Sequence, residues 1–213
     1  MLNQHAIDAI QKQTLSPSHV RPDYSTYNFA NIPGTILNLF KIHMANQLPA
    51  GTIPEGPSPE KVIFLFIDAF GWKHFQKHAD TSAVLQRFLR EGMVSQLTSQ
   101  FPSTTTAHVT TLHTNQHVGL HGMYEWFYYE PQADAVISPL FYSYAGDAVR
   151  GTLQTADLDP LSIFPCKTIY PTLTQHGIAS YVFINQAFAG SPYSQAVDRD
   201  VTFKRSFSAF PQA

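Results

Sequence analysis

Lys61-Val62-Ile63-Phe64-Leu65-Phe66-Ile67-Asp68-Ala69-Phe70-Gly71 is the stretch whose reading decides the fold. Six apolar residues run without a break from Val62 to Ile67, rich in β-branched and aromatic types. A strand with one wet face alternates in polarity. An unbroken run instead predicts a strand covered on both faces, as in a parallel sheet between helices. Asp68 ends the run and Gly71 turns the chain. In open α/β sheets ligands bind at the C-terminal ends of the strands, where a carboxylate suits a hard or borderline cation. Taken alone, a turn-forming Asp that caps the next helix is the simpler reading of Asp68.

Downstream, Trp72 to Gly92 predicts a helix with Val84, Leu85, Phe88 and Leu89 on one face and Gly92 as its stop. Met93 to Thr98 predicts the next strand. Then comes Gln100-Phe101-Pro102-Ser103-Thr104-Thr105-Thr106-Ala107-His108, with four hydroxyls in a row where a helix should begin. The first N–H groups of a helix lack partners inside it, and the helix dipole is positive at that end. A phosphate sits well there, and a hydroxyl in the first turn lies against it. One of these threonines is therefore a candidate nucleophile. An alcohol holds its proton tightly and needs a base or a metal to react. No neighbour is an obvious base, whereas a metal held in part by Asp68 would serve. On this stretch alone an ordinary N-cap is the simpler reading, since Ser and Thr are common caps.

Outside these segments, Met1 to Pro33 reads as a short polar helix followed by an irregular stretch, and Gly34 to Gln47 has a helix-like apolar pattern. Pro49 to Pro59 is a Pro- and Gly-rich loop. Asn115 to Gly122 reads as loop and Tyr124 to Glu130 as an edge or hairpin strand. Lys167 to His176 reads as a helix capped by Gly177, and Ala179 to Asn185 as a strand. No element is assigned to Pro131–Pro160 or to Ala187–Ala213. The alternation predicts an α/β fold, a mostly parallel sheet flanked by helices.

The totals agree with a folded chain. Hydrophobic residues make up 44% and charged ones 13% of 213 residues, enough apolar content for a core. A net charge of -2 implies no basic surface, so nucleic acid is not an expected partner. Met1 to Thr14 is polar and lacks a signal-peptide core. The apolar run at Val62 is far shorter than a membrane span. The expectation is a cytoplasmic protein with no membrane partner. The single cysteine, Cys166, excludes an internal disulfide and a Cys-based zinc cluster, and it reads as structural. Six of the ten histidines lie between His74 and His121. His113, His117 and His121 recur every four residues, but Asn115 and Gly119 interrupt a helix there, so they read as scattered surface or loop histidines rather than a metal stripe. His74 and His78 read as facing solvent or the edge of their helix.

Three pieces taken together, Val62 to Gly71, Phe101 to Ala107 and Gly119-Leu120-His121-Gly122, resemble the type I phosphodiesterase/nucleotide pyrophosphatase family of the alkaline phosphatase superfamily. The firm match covers about Lys61 to Pro131. The resemblance implies an alkaline-phosphatase-like α/β fold with two divalent metal ions, usually zinc. It implies a small phosphate ester as substrate, hydrolysed at a phosphodiester or pyrophosphate bond through a covalent threonine intermediate. It maps Asp68 onto the first metal ligand. Thr105 maps onto the nucleophile, which also touches a metal.

Two departures qualify the resemblance. Nucleotide pyrophosphatases place an Asn a few residues beyond the His-Gly pair, where this chain reads Met123-Tyr124-Glu125-Trp126. The family's later ligands, an Asp-x-x-x-His and an Asp-His, do not occur. The expectation is thus an N-terminal extension over 1–60 and, over 61–213, the N-terminal portion of a catalytic domain whose C-terminal part is missing. A non-catalytic or degenerate phosphate-binding module of the same fold is the alternative.

Overall fold

The computed structural model describes residues 1–17, 19–164 and 167–209. Cys166 and Ala213 lie outside the described residues. The chain forms two compact units, Met1–Gln100 and Phe101–Ala213.

In the first unit, helix α1 (Gln4–Gln11) starts where the Asn3 side chain accepts a hydrogen bond from the Ala6 amide at 3.3 Å. It buries Ala6 and Ile10 against Tyr27, with Ala9 and Leu97 at the margin. A small antiparallel hairpin follows, β1 (Thr14–Ser16) and β2 (His19–Val20). Helix α2 (Ile32–Leu39) carries Pro33 in its first turn, where the missing N–H costs nothing. The single helix expected over Trp72–Gly92 is two, α3 (Trp72–His78) and α4 (Ala83–Glu91). Ser82 restarts the helix by accepting a hydrogen bond from the Leu85 amide. Of the stripe expected on α4, Val84 is 63% and Phe88 58% exposed, while Leu85 and Leu89 are half-buried.

The second unit begins with α5 (Thr105–Thr114) and the single turn α6 (Val118–His121). An antiparallel sheet follows in the order β3 (Tyr128–Glu130), β4 (Ala135–Ser138), β5 (Ser143–Tyr144). Asp134, in the left-handed region at φ 47, closes the first hairpin, and its carboxylate accepts a hydrogen bond from the Tyr129 hydroxyl. Short helices α7 (Pro160–Ile163) and α8 (Tyr170–Gln175) come next. Then β6 (Tyr181–Asn185), α9 (Gln186–Ala189), α10 (Pro192–Val197) and β7 (Phe203–Phe207) make a unit in which β6 and β7 pair in parallel, Tyr181 opposite Phe203. The core gathers Met123, Ile137, Tyr142, Leu153, Phe164 and Tyr193.

This corrects the expected mostly parallel sheet flanked by helices. Among the described residues there are two antiparallel sheets and one parallel pair, and no large parallel sheet. Among the described residues Val62 to Ile67 belongs to no strand, and Ile63 is 94% exposed. Met93 to Thr98 makes only isolated bridges, Val94 to Leu2 and Thr98 to Asn28. An apolar run is fit for a buried strand, but it becomes one only where neighbours take its N–H and C=O groups and helices cover both faces. Neither condition is met by the run at Val62.

Candidate active site

Asp68 belongs to the first unit. The chain leaves the apolar run there and enters α3 through a tight turn. Asp68 Oδ1 accepts a hydrogen bond from the Ala69 amide at 2.9 Å, Ala69 takes φ 60, and the Gly71 amide donates to the Ala69 carbonyl. Gly71 is the N-cap of α3. The carboxylate is exposed and shapes the turn. His74 and His78 are exposed on α3, and the His74 ring stacks on Phe70.

Thr105 belongs to the second unit and is the first residue of α5. The N-cap is its neighbour Thr104, in extended backbone, whose Oγ1 accepts a hydrogen bond from the Ala107 amide at 3.3 Å. The same hydroxyl donates to the Tyr124 carbonyl at 2.8 Å. The Thr104 carbonyl takes His108 Nδ1 at 2.7 Å. Both sides of Thr104 are thus occupied in starting the helix. Thr105, half-buried, stands one residue further on, in the turn where N–H groups point out of the helix end. Thr106 is fully buried, and its Oγ1 has no hydrogen-bond partner.

The segment after α5 frames that turn. His117 caps α6 by accepting the Gly119 amide on Nδ1 at 3.1 Å. Gly122 reverses the chain at φ 73, a conformation that suits a residue without Cβ. Met123 returns its amide to His121 Nδ1 at 3.0 Å. The other ring nitrogen of His121 lies 3.1 Å from Thr111 Oγ1 on α5. Burial pushes the His121 imidazole down to about 4, which a hydrogen bond with the Ala107 backbone opposes and His117 and His108 reinforce.

At the far end of α5, His113 Nδ1 lies 2.6 Å from the Tyr170 hydroxyl and 3.7 Å from Asp198. Burial lowers its pKa; Asp198 opposes this. The expectation of scattered surface or loop histidines is therefore corrected for His113 and His121. Both are enclosed and hydrogen-bonded, because α6 forms within the expected loop and folds its His back onto α5.

Asp68 and Thr105 both offer oxygen donors, which is the chemistry a divalent cation takes. Among the described residues, no group of three or more His, Cys, Asp or Glu is gathered to hold a metal ion. No helix among them is long and apolar enough to cross a membrane. The sequence places Thr105 at a helix start, where α5 does begin, but does not single out Thr104 as the cap or His121 as a buried ring. Four adjacent hydroxyls leave the capping position ambiguous, and His121 stands out only by its four-residue spacing from His117 and its place in the His-Gly pair.

The family model for type I phosphodiesterase / nucleotide pyrophosphatase matches residues 62–209. No curated protein and no solved structure matches the chain.

Proposed function

The chain belongs to the type I phosphodiesterase/nucleotide pyrophosphatase family, and on that premise we propose that it works on small phosphate esters through Thr105. The carrying observation is the division of labour at the head of α5. Thr104 makes the cap, so the hydroxyl of Thr105 is not the one that closes the helix.

In this reading the Thr105 Oγ–P bond forms as the bond from phosphorus to the leaving oxygen breaks. Water later cleaves the Oγ–P bond and restores the threonine. The N–H groups of the first turn of α5 face the phosphoryl oxygens as charge builds on them. Asp68 and Thr105 are the residues that would hold metal, two divalent ions and zinc by family likeness. When bound, such a cation would favour the alkoxide of Thr105 and offset charge on the phosphoryl group.

The test is release of 4-nitrophenolate from bis(4-nitrophenyl) phosphate by the full chain with zinc or manganese, together with peptide mass spectrometry for a phosphorylated Thr105. Metal-dependent turnover that vanishes in Thr105→Ala supports the enzyme. Phosphate binding without turnover supports a second reading, a non-catalytic phosphate-binding module. Within residues 1–213 the Asp-x-x-x-His and Asp-His motifs do not occur. No response to either metal or phosphate sinks both.

A further inference from the structure

We infer that His121 is the positioning residue for Thr105, gripping the first turns of α5 through a neutral ring held in one tautomer. The inference rests on the reading of Thr105 as nucleophile. Donor and acceptor roles around the ring fix its tautomer. A backbone amide can only donate, so Nδ1 of His121 must accept from Met123 at 3.0 Å. A neutral imidazole with one accepting nitrogen carries its proton on the other. Nε2–H therefore donates toward α5, where Thr111 Oγ1 lies at 3.1 Å and the ring also bonds the Ala107 backbone. Ala107 stands two residues from Thr105 in the same turn.

His121 is 3% exposed, so solvent competes little for either ring nitrogen. Protonation would give Nδ1 a hydrogen aimed at the Met123 N–H, two donors face to face. The titratable groups facing the ring are His108, on α5, and His117, at the N-cap of α6. Both disfavour a charge there. Three residues later the same segment makes its second attachment, the Tyr124 carbonyl to Thr104 Oγ1 at 2.8 Å. His121 and Tyr124 thus hold the head of α5 at two points on either side of Thr105. Small displacements of a nucleophile cost rate out of proportion to their size, which is why such a grip matters to the reaction.

Side-chain 15N NMR of the full chain reads the tautomer directly, and backbone amide resonances read the position of the Thr105 turn. The expected result is a single Nε2–H tautomer for His121 that persists at pH 5, where an exposed histidine is protonated. His121→Ala should shift the Thr105 and Thr106 amides and leave those of α8 in place. His121→Gln, which keeps a donor near Nε2, should restore part of the shift. Should His121→Ala not fold, Thr111→Val removes only the hydroxyl acceptor and should move the same resonances. An Nδ1–H tautomer, an ordinary titration near 6.5, or Thr105 resonances that stay put in these variants overturns the inference. These readouts need no turnover. An inactive chain with the expected shifts refutes the nucleophile and keeps the grip of His121. An active chain with unmoved Thr105 resonances does the reverse.

Discussion

Asp198 Oδ2 and Lys204 Nζ meet at 2.7 Å, the carboxylate side chain 2% exposed and the ammonium side chain 26%. The pair joins the end of α10 to β7, and His113 at the tail of α5 lies 3.7 Å from the other carboxylate oxygen. Among the described residues neither Asp198 oxygen receives a well-directed hydrogen bond, so the Lys204 charge is its main compensation there. Removing one member should leave an uncompensated buried charge. Lys204→Met is expected to cost about 3 kcal/mol in urea unfolding, with Asp198→Asn,Lys204→Met together costing less than the sum of the singles. Additive losses would show that the pair is not coupled.

Acid should loosen the second unit through its histidines. The folded pKa of His121 is held down at about 4, and that of His113 is lowered too, chiefly by burial. The unfolded chain takes up these protons near the ordinary histidine value while the folded chain does not. Between about pH 6.5 and 4 the unfolded state therefore binds more protons, and stability falls as pH falls. His121 alone contributes about 3 kcal/mol across that window. Asp23, whose pKa is lowered by hydrogen bonds from Ser25, has the same sign but acts at lower pH. Urea midpoints at pH 7, 5.5 and 4.5 check the slope, and a flat profile would contradict it.

What the sequence disclosed was mostly local. The start of α5, β6 and the Gly177 stop after α8 all follow from caps, β-branched runs and a glycine at φ 73. The strand at Tyr128 follows from its aromatic run, whereas its turn at Asp134 and its partner β4 fall in the stretch to which no element is assigned. The run from Val62 to Ile67 failed as a strand because its fate depends on partners distant in sequence, which no local pattern supplies. The α4 stripe failed for the same reason: amphipathicity states what a helix could bury, not what meets it. The elements α9, α10 and β7 went unseen because each is short and begins with a small polar cap, Asn185 or Ser191, or with no signal at all. At the site, Thr105 was legible as a hydroxyl at a helix start. His121 was not, because its partners Met123 and Thr111 are set by the reversal at Gly122.

The two neighbouring threonines should separate stability from chemistry. Thr104→Ala loses the bond from the Ala107 amide and the bond to the Tyr124 carbonyl. The expected loss is about 1–2 kcal/mol by urea unfolding. Thr105→Ala, which leaves the cap in place, should cost under about 1 kcal/mol while abolishing any covalent phosphothreonine detected by mass spectrometry. A Thr105→Ala protein that is as unstable as Thr104→Ala would mean that Thr105 is itself part of the cap.

The uncovered run at Val62 should make the protein associate with itself. Ile63 is 94%, Leu65 61% and Ile67 58% exposed, and the segment joins no strand among the described residues. An uncharged, apolar segment of high β-propensity that lies outside any sheet is a template for pairing with another chain. Sedimentation velocity over a range of concentrations should show association, and Ile63→Lys with Leu65→Lys should abolish it. Because both side chains already face water, the double variant should alter unfolding free energy by about 0.5 kcal/mol per site or less. Loss of several times that amount would mean that Ile63 and Leu65 are buried in solution and that the run has found the covering layers its composition asks for.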